Sequence, residues 1–207
     1  MVNGFIIKCI HSVVQTILNS EAEIESLDRA IGDGDHYINI KRGSMAVQSI
    51  ESELTSLPPD QAFKKIGMTL MTSVGGASGP LFASFFLALA KEIKSETNLQ
   101  QFSKGFTSGV KSIMDRGKSK LGDKTMLDVL IPVSEKLQLL ANEGCEKHEL
   151  IKEIDSIAMA GVIATKDMMP SKGRSAGLAE RAIGHIDPGA KTCQLIISTV
   201  CNELKLN

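Results

Sequence analysis

Residues 28–36 read DRAIGDGDH, and they bring Asp28, Asp33, Asp35 and His36 close together in sequence. Gly32 and Gly34 punctuate the run and let the backbone turn sharply, so that three carboxylates can converge. Oxygen donors with no cysteine among them suit a hard cation, Mg²⁺ or Ca²⁺. A set this sparse leaves positions open, which on Mg²⁺ go to water and phosphate oxygens. An EF-hand does not fit, because the D-x-D-x-D-G series and the Glu at its twelfth position are both missing. The competing reading is a solvated, capped loop in which Asp and Gly only make turns.

Three more stretches could do chemistry. Residues 75–80, GGASGP, are small and come just before an apolar segment, which is how backbone N–H groups at a helix start are opened to a phosphate. The stretch fits neither the Walker pattern nor the dinucleotide fingerprint, and a tight interhelical turn explains it equally. Residues 117–126, GKSKLGDKTM, offer Asp123 as a helix cap, with Thr125 beside it. Residues 173–190, GRSAGLAERAIGHIDPGA, offer Arg174, whose planar fork suits a phosphate. There Asp187 followed by Pro188 is a standard helix start, and His185 reads as either a ligand contact or a structural histidine. No Ser–His–Asp or Cys–His arrangement favours covalent catalysis. Metal, helix starts and arginine together describe a nucleotide phosphate site, where catalysis is mostly positioning and charge neutralisation.

Something must hold these stretches together. The chain has 207 residues, 43% apolar and 23% charged, enough for one domain (1–207) with a real core. A net charge of −1 gives no global field for nucleic acid or a membrane surface. No Trp, one Tyr and seven Phe, with few strand-like runs, lean to helix. Cys9, Cys145, Cys193 and Cys201 form no zinc spacing and read as reduced thiols of a cytoplasmic protein, the last two facing the core. The first eighteen residues carry Lys8 and His11 and read as an amphipathic helix, not a signal peptide. The longest apolar run, 81–90, is half of the roughly 20 residues that cross a bilayer.

Apolar spacing predicts about eight helices and a short one, with no strand. The first carries a stripe from Ile6 to Ile24. The others fall near 40–54, from Asp60 as cap through Met71, from residue 80 to 93, and then 102–115, 124–142, 148–168, 177–183 and 188–204. With antiparallel neighbours every second joint lies at the same end, and that parity puts the four special stretches at one rim.

The stretches LDRAIGDGDHYINIKRG, VGGASGPLFASFF, GDKTMLDVLIP and GRSAGLAERAIGHIDPGA, in this order, resemble the L subunit of dihydroxyacetone kinase, the DhaL family. The resemblance spans most of the chain. It implies a closed barrel of eight antiparallel helices with the nucleotide, ADP or ATP, at one end. It implies that Asp28, Asp33 and Asp35 hold two Mg²⁺ ions. Nucleotide neighbours would be His36, Asn39, Ala77, Ser78, Gly117, Thr125, Met126, Arg174, Asp187, Pro188 and Gly189. It also implies partners: a K subunit that binds the ketose, and an M subunit or similar phosphohistidine donor of the phosphotransferase system. The K subunit receives the γ-phosphate, and the donor recharges the ADP in place. Tyr37, Ile38 and Gly177 depart from the family pattern, at a small-residue loop and at an aromatic position. The alternatives left open are a paralogous subunit for another short sugar, or a regulatory module partnering a transcription regulator.

Overall fold

Ser20 and Ile50 each interrupt a helix that the apolar stripe predicts as continuous. The structure, a computed structural model, describes residues 2–94 and 97–206, apart from the side chains of Val2 and Arg174. In place of one helix stand α1 (Val2–Asn19) and α2 (Glu21–Ile31), and in place of the next stand α3 (His36–Ser49) and α4 (Glu51–Ser56). Both junction residues sit near φ −98 to −99 and ψ 13 to 15, where the regular ladder is lost for one step. The stripe continues across each break, so periodicity alone does not report it.

Next come α5 (Pro59–Ser73), α6 (Ser78–Glu92), α7 (Leu99–Gly117), α8 (Leu127–Glu143), α9 (Lys147–Ala164) and α10 (Pro188–Leu206). Two 3₁₀ segments, Thr165–Asp167 and Arg174–Ala182, lie between α9 and α10. No strand occurs among the described residues. α5 starts at Pro59, whose missing N–H costs nothing at a first helical position, so Asp60 lies in the first turn rather than at the cap. α7 starts earlier than predicted because Asn98 and Gln101 form a reciprocal capping box.

The helices close a ring. α1 packs on α3, α3 on α5, and each of α5 to α9 packs on its successor in sequence; α10 then packs on both α9 and α1. Counting α1–α2 and α3–α4 as two bent columns gives eight antiparallel columns, the predicted architecture. The seam between last and first is held by Ser12–Glu203 at 2.6 Å, Thr16–Thr199 at 2.9 Å and Lys191–Glu23 at 3.0 Å. The largest apolar cluster fills α7 to α10 around Ile113, Leu127, Val129, Val133 and Ala158, with Cys193 and Cys201 buried in it as predicted. A second cluster joins Ile17 and Ile24 to Tyr37 and Ile40, holding α1 and α2 against α3. No described helix is long and apolar enough to cross a membrane.

Candidate functional site

Asp28 sits on the last turn of α2, and Asp35 immediately precedes α3. The loop between them is short enough to bring carboxylate oxygens of Asp28, Asp33 and Asp35 within 4.8 Å of one another. Two glycines make that geometry accessible. A Cβ at Gly32 would stand 1.9 Å from Asp28 Oδ1, and Gly34 takes φ 78, a left-handed turn. Asp28 is buried, and its Oδ2 accepts the His36 backbone N–H at 2.9 Å, which fixes the carboxylate against the start of α3. Three negative groups this close repel unless a cation joins them. The donor set, all oxygen with two of the three carboxylates exposed, fits Mg²⁺ with open positions.

These aspartates edge a cavity of about 390 Å³ to which all four joints contribute. His36 and Asn39 line it from α3. Ala77 and Ser78 line it from the glycine turn, where α6 begins. Gly117 ends α7 there, Thr125 and Met126 precede α8, and Asp187, Pro188 and Gly189 form the start of α10. Thirteen of the fourteen metal and nucleotide residues that the resemblance implies line this one cavity, whereas Asp123 and His185 do not. The side chain of the fourteenth, Arg174, lies outside the described residues; its backbone opens the second 3₁₀ segment.

The start of α10 is built as expected. Asp187 Oδ2 accepts the Ala190 N–H at 2.7 Å across Pro188. Burial pushes the Asp187 carboxyl up to about 7, against the pull of that hydrogen bond and of Lys124. His36 Nε2 lies 2.9 Å from Thr192 Oγ1 on α10, and burial holds its pKa below the ordinary value, partly offset by Asp28 and Asp35. Asn39 Oδ1 accepts from Arg42 Nη2 at 2.7 Å, and Arg42 Nε donates to the Ser73 carbonyl at 2.7 Å. The Asn39 side chain is thus oriented from behind, by a residue that also anchors the end of α5.

Asp123 does not cap α8, which begins at Leu127. Its carboxylate instead accepts from the Lys120 N–H at 2.8 Å, from Ser119 and from Ser171, gathering the loop around itself. Those bonds draw its pKa below the ordinary carboxylate value although burial pushes the other way. Thr125 and Asp128 do the capping: Thr125 Oγ1 accepts from Leu127 N–H at 3.2 Å, and Asp128 Oδ2 accepts from Thr125 N–H at 2.7 Å. The T-x-x-D spacing was the available signal. Sequence reasoning also passed over Arg116, Ser119, Lys124, Lys172 and Ser175, all of which line the cavity. The His185 ring is exposed; the residue serves through its carbonyl, which accepts from Lys124.

Tyr37 points away from the cavity. It is buried between α2 and α3, its hydroxyl donates to Glu21 Oε2 at 3.0 Å, and the Lys41 ammonium stands 5.4 Å from the ring centre. Burial and the Glu21 carboxylate raise the phenol to about 12. Its bulk therefore serves the packing of the helix that carries Asp28. Ile38 beside it is exposed.

A DAK2 domain model matches residues 30–202. The ADP-binding subunit DhaL of the PEP-dependent dihydroxyacetone kinase of Escherichia coli (strain K12) is 38% identical over 192 residues, 91% of each chain. The ADP-binding subunit DhaL of PEP-dependent dihydroxyacetone kinase 2 from Listeria innocua serovar 6a is 38% identical over 186 residues, 88% of this chain and 86% of that one. The crystal structure of the dihydroxyacetone kinase from C. freundii in complex with AMP-PNP and Mg²⁺ superposes with a TM-score of 0.75 at 23% identity. That likeness is one of fold; it covers 95% of this chain but only 33% of that kinase. The domain model spans most of the chain, as do relatives 38% identical to it, and the chain belongs to the DAK2 domain family.

Proposed function

We propose that this protein is the nucleotide-binding subunit of a dihydroxyacetone kinase, holding Mg²⁺ with ADP or ATP in the rim cavity. The observation that carries the reading is the meeting of three carboxylates with the starts of α6 and α10 on one cavity. Asp28, Asp33 and Asp35 would hold the metal, as two Mg²⁺ ions. Ser78 and Gly189 place helix N-termini at the cavity, where N–H groups and the helix dipole favour phosphate oxygens. His36, Asn39, Gly117, Thr125, Met126, Arg174 and Asp187 would complete the contacts. When bound, Mg²⁺–ATP supplies the phosphoryl group, which passes to a hydroxyl of the ketose and leaves ADP behind. The chain's own part is to hold and orient. Asp28 is fixed by the His36 N–H, and the His36 ring by Thr192, so neither has to reorganise as charge shifts.

The ketose would sit on a separate K subunit, as the name of a kinase subunit in the relatives suggests. A phosphohistidine protein of the phosphotransferase system would return a phosphoryl group to ADP in place, and the cycle would run in the cytoplasm. The relatives favour neither the paralogous sugar nor the regulator reading. The test is retention. Protein purified in Mg²⁺ should carry nucleotide through gel filtration and release it in EDTA. A nucleotide-free protein that binds Mg²⁺–ADP no tighter than about 100 μM, roughly −5.5 kcal/mol, would sink the reading.

A further inference from the structure

Lys124 is a lysine with no exposed surface. It takes φ 58, a left-handed backbone that is uncommon for a residue with a side chain and that here accompanies an inward-pointing one. Its ammonium donates to the carbonyl of Thr165 at 2.6 Å and to that of His185 at 2.6 Å, with Met168 and Lys166 carbonyls at 3.3 and 3.4 Å. A buried charge normally costs several kcal/mol, and here carbonyl dipoles from two distant segments surround it. Asp187, Asp167 and Asp128 add attraction, while burial draws its pKa below the ordinary value.

The acceptors explain what the charge does. Thr165 closes α9, and its hydroxyl also accepts the Asp187 N–H at 3.1 Å. Met168 begins the descent to Lys172 and Ser175 on the cavity wall. His185 leads into Asp187 and the start of α10. Lys124 itself adjoins Thr125 and Met126. One ammonium thus ties the 124–126 loop to the 165–168 segment and to the 185–189 turn, with Met168 four residues from Lys172 and His185 two from Asp187 on the cavity wall.

We infer that Lys124 is a positioning residue for the nucleotide site, setting the spacing between the 124–126 loop and the 185–189 turn; this rests on the nucleotide reading above. Lys124→Met keeps most of the side-chain length and removes every donor. It should weaken Mg²⁺–ADP binding at least tenfold by titration calorimetry, with the helical circular dichroism retained. Leu137→Ala serves as the control, since Leu137 lies in the α7–α10 core and does not line the cavity. Compared at matched loss of Tm, it should bind Mg²⁺–ADP within about twofold of wild type. Hydrogen exchange adds a readout that general destabilisation does not move: amides of 165–169 and 183–187 should exchange faster in Lys124→Met and not in Leu137→Ala. If Lys124→Met does not fold, Lys124→Gln, which keeps one donor group, carries the same comparison and should still lose affinity. Wild-type affinity in the folded lysine variant, or an equal loss in Leu137→Ala, overturns the inference. A wild-type protein that binds no Mg²⁺–ADP overturns the function reading instead.

Discussion

A methyl group at Gly32 would press into the carboxylate of Asp28, 1.9 Å from Oδ1. Gly32→Ala is therefore expected to displace the buried aspartate and disperse the cluster, with loss of Mg²⁺-dependent nucleotide binding and little loss of helix by circular dichroism. Asp33→Asn removes one negative charge without changing shape; binding of Mg²⁺–ADP should fall tenfold or more, about 1.4 kcal/mol, and unchanged retention would refute the metal assignment. Asp187 makes a prediction about pH. Its folded pKa of about 7 lies above the unfolded value of 3.8, so the folded state holds the proton more tightly. The contribution to stability is full below pH 3.8, shrinks as pH rises, and is gone above about 7. Asp187→Asn keeps a capping side chain without the charge. Its stability relative to wild type should rise between pH 5 and 7, by roughly 1–3 kcal/mol, and then level off; a flat difference in urea titrations would contradict this. The carboxylates were legible in sequence because their partners are seven residues away or fewer. Lys124 was not, because the carbonyls that receive it lie 41 to 61 residues away and nothing local announces burial.

Among the elements, the joint before α8 shows what local chemistry decides. Asp123 and Asp128 both stand near the helix start, and the sequence offers Asp123 as the cap. In the structure Asp128, in the first turn and almost fully buried, ties the preceding loop to the helix by accepting from both Gly122 and Thr125 N–H groups. Asp128→Ala leaves those donors unmet at a buried site and should cost about 1–3 kcal/mol, read as a fall in Tm of ~2–4 °C per kcal/mol. A Tm within one degree of wild type would show that these bonds do not hold the helix start. The breaks at Ser20 and Ile50 were illegible for a different reason. Each is a change of dihedral at one residue, and the apolar stripe passes through it undisturbed.

At the scale of the molecule, parity was the strongest signal in the sequence. Eight antiparallel columns put alternate joints at one end, and the breaks at Ser20 and Ile50 do not disturb the count because each pair continues as one column. Since the cavity takes residues from α2, α3, α6, α7, α8 and α10, a ligand there bears on the whole ring. Mg²⁺–ADP at a hundred times its Kd should add about 2.7 kcal/mol to stability, and so raise Tm by ~5–10 °C, with EDTA reversing the gain. A shift of less than about a degree at saturation would show that the ring is indifferent to the site.

The seam between α10 and α1 has a kinetic consequence. Every other column packs against a neighbour in sequence, so most contacts close short loops and can form early. Joining α10 to α1 is the long-range step, since Ser12 meets Glu203 across 191 residues. The same seam reaches the cavity, which Asp28 lines from α2 and Gly189 from α10. During refolding, helical signal should return before the chain can hold Mg²⁺–ADP, and binding competence should follow the slowest phase, when the ends of the ring meet.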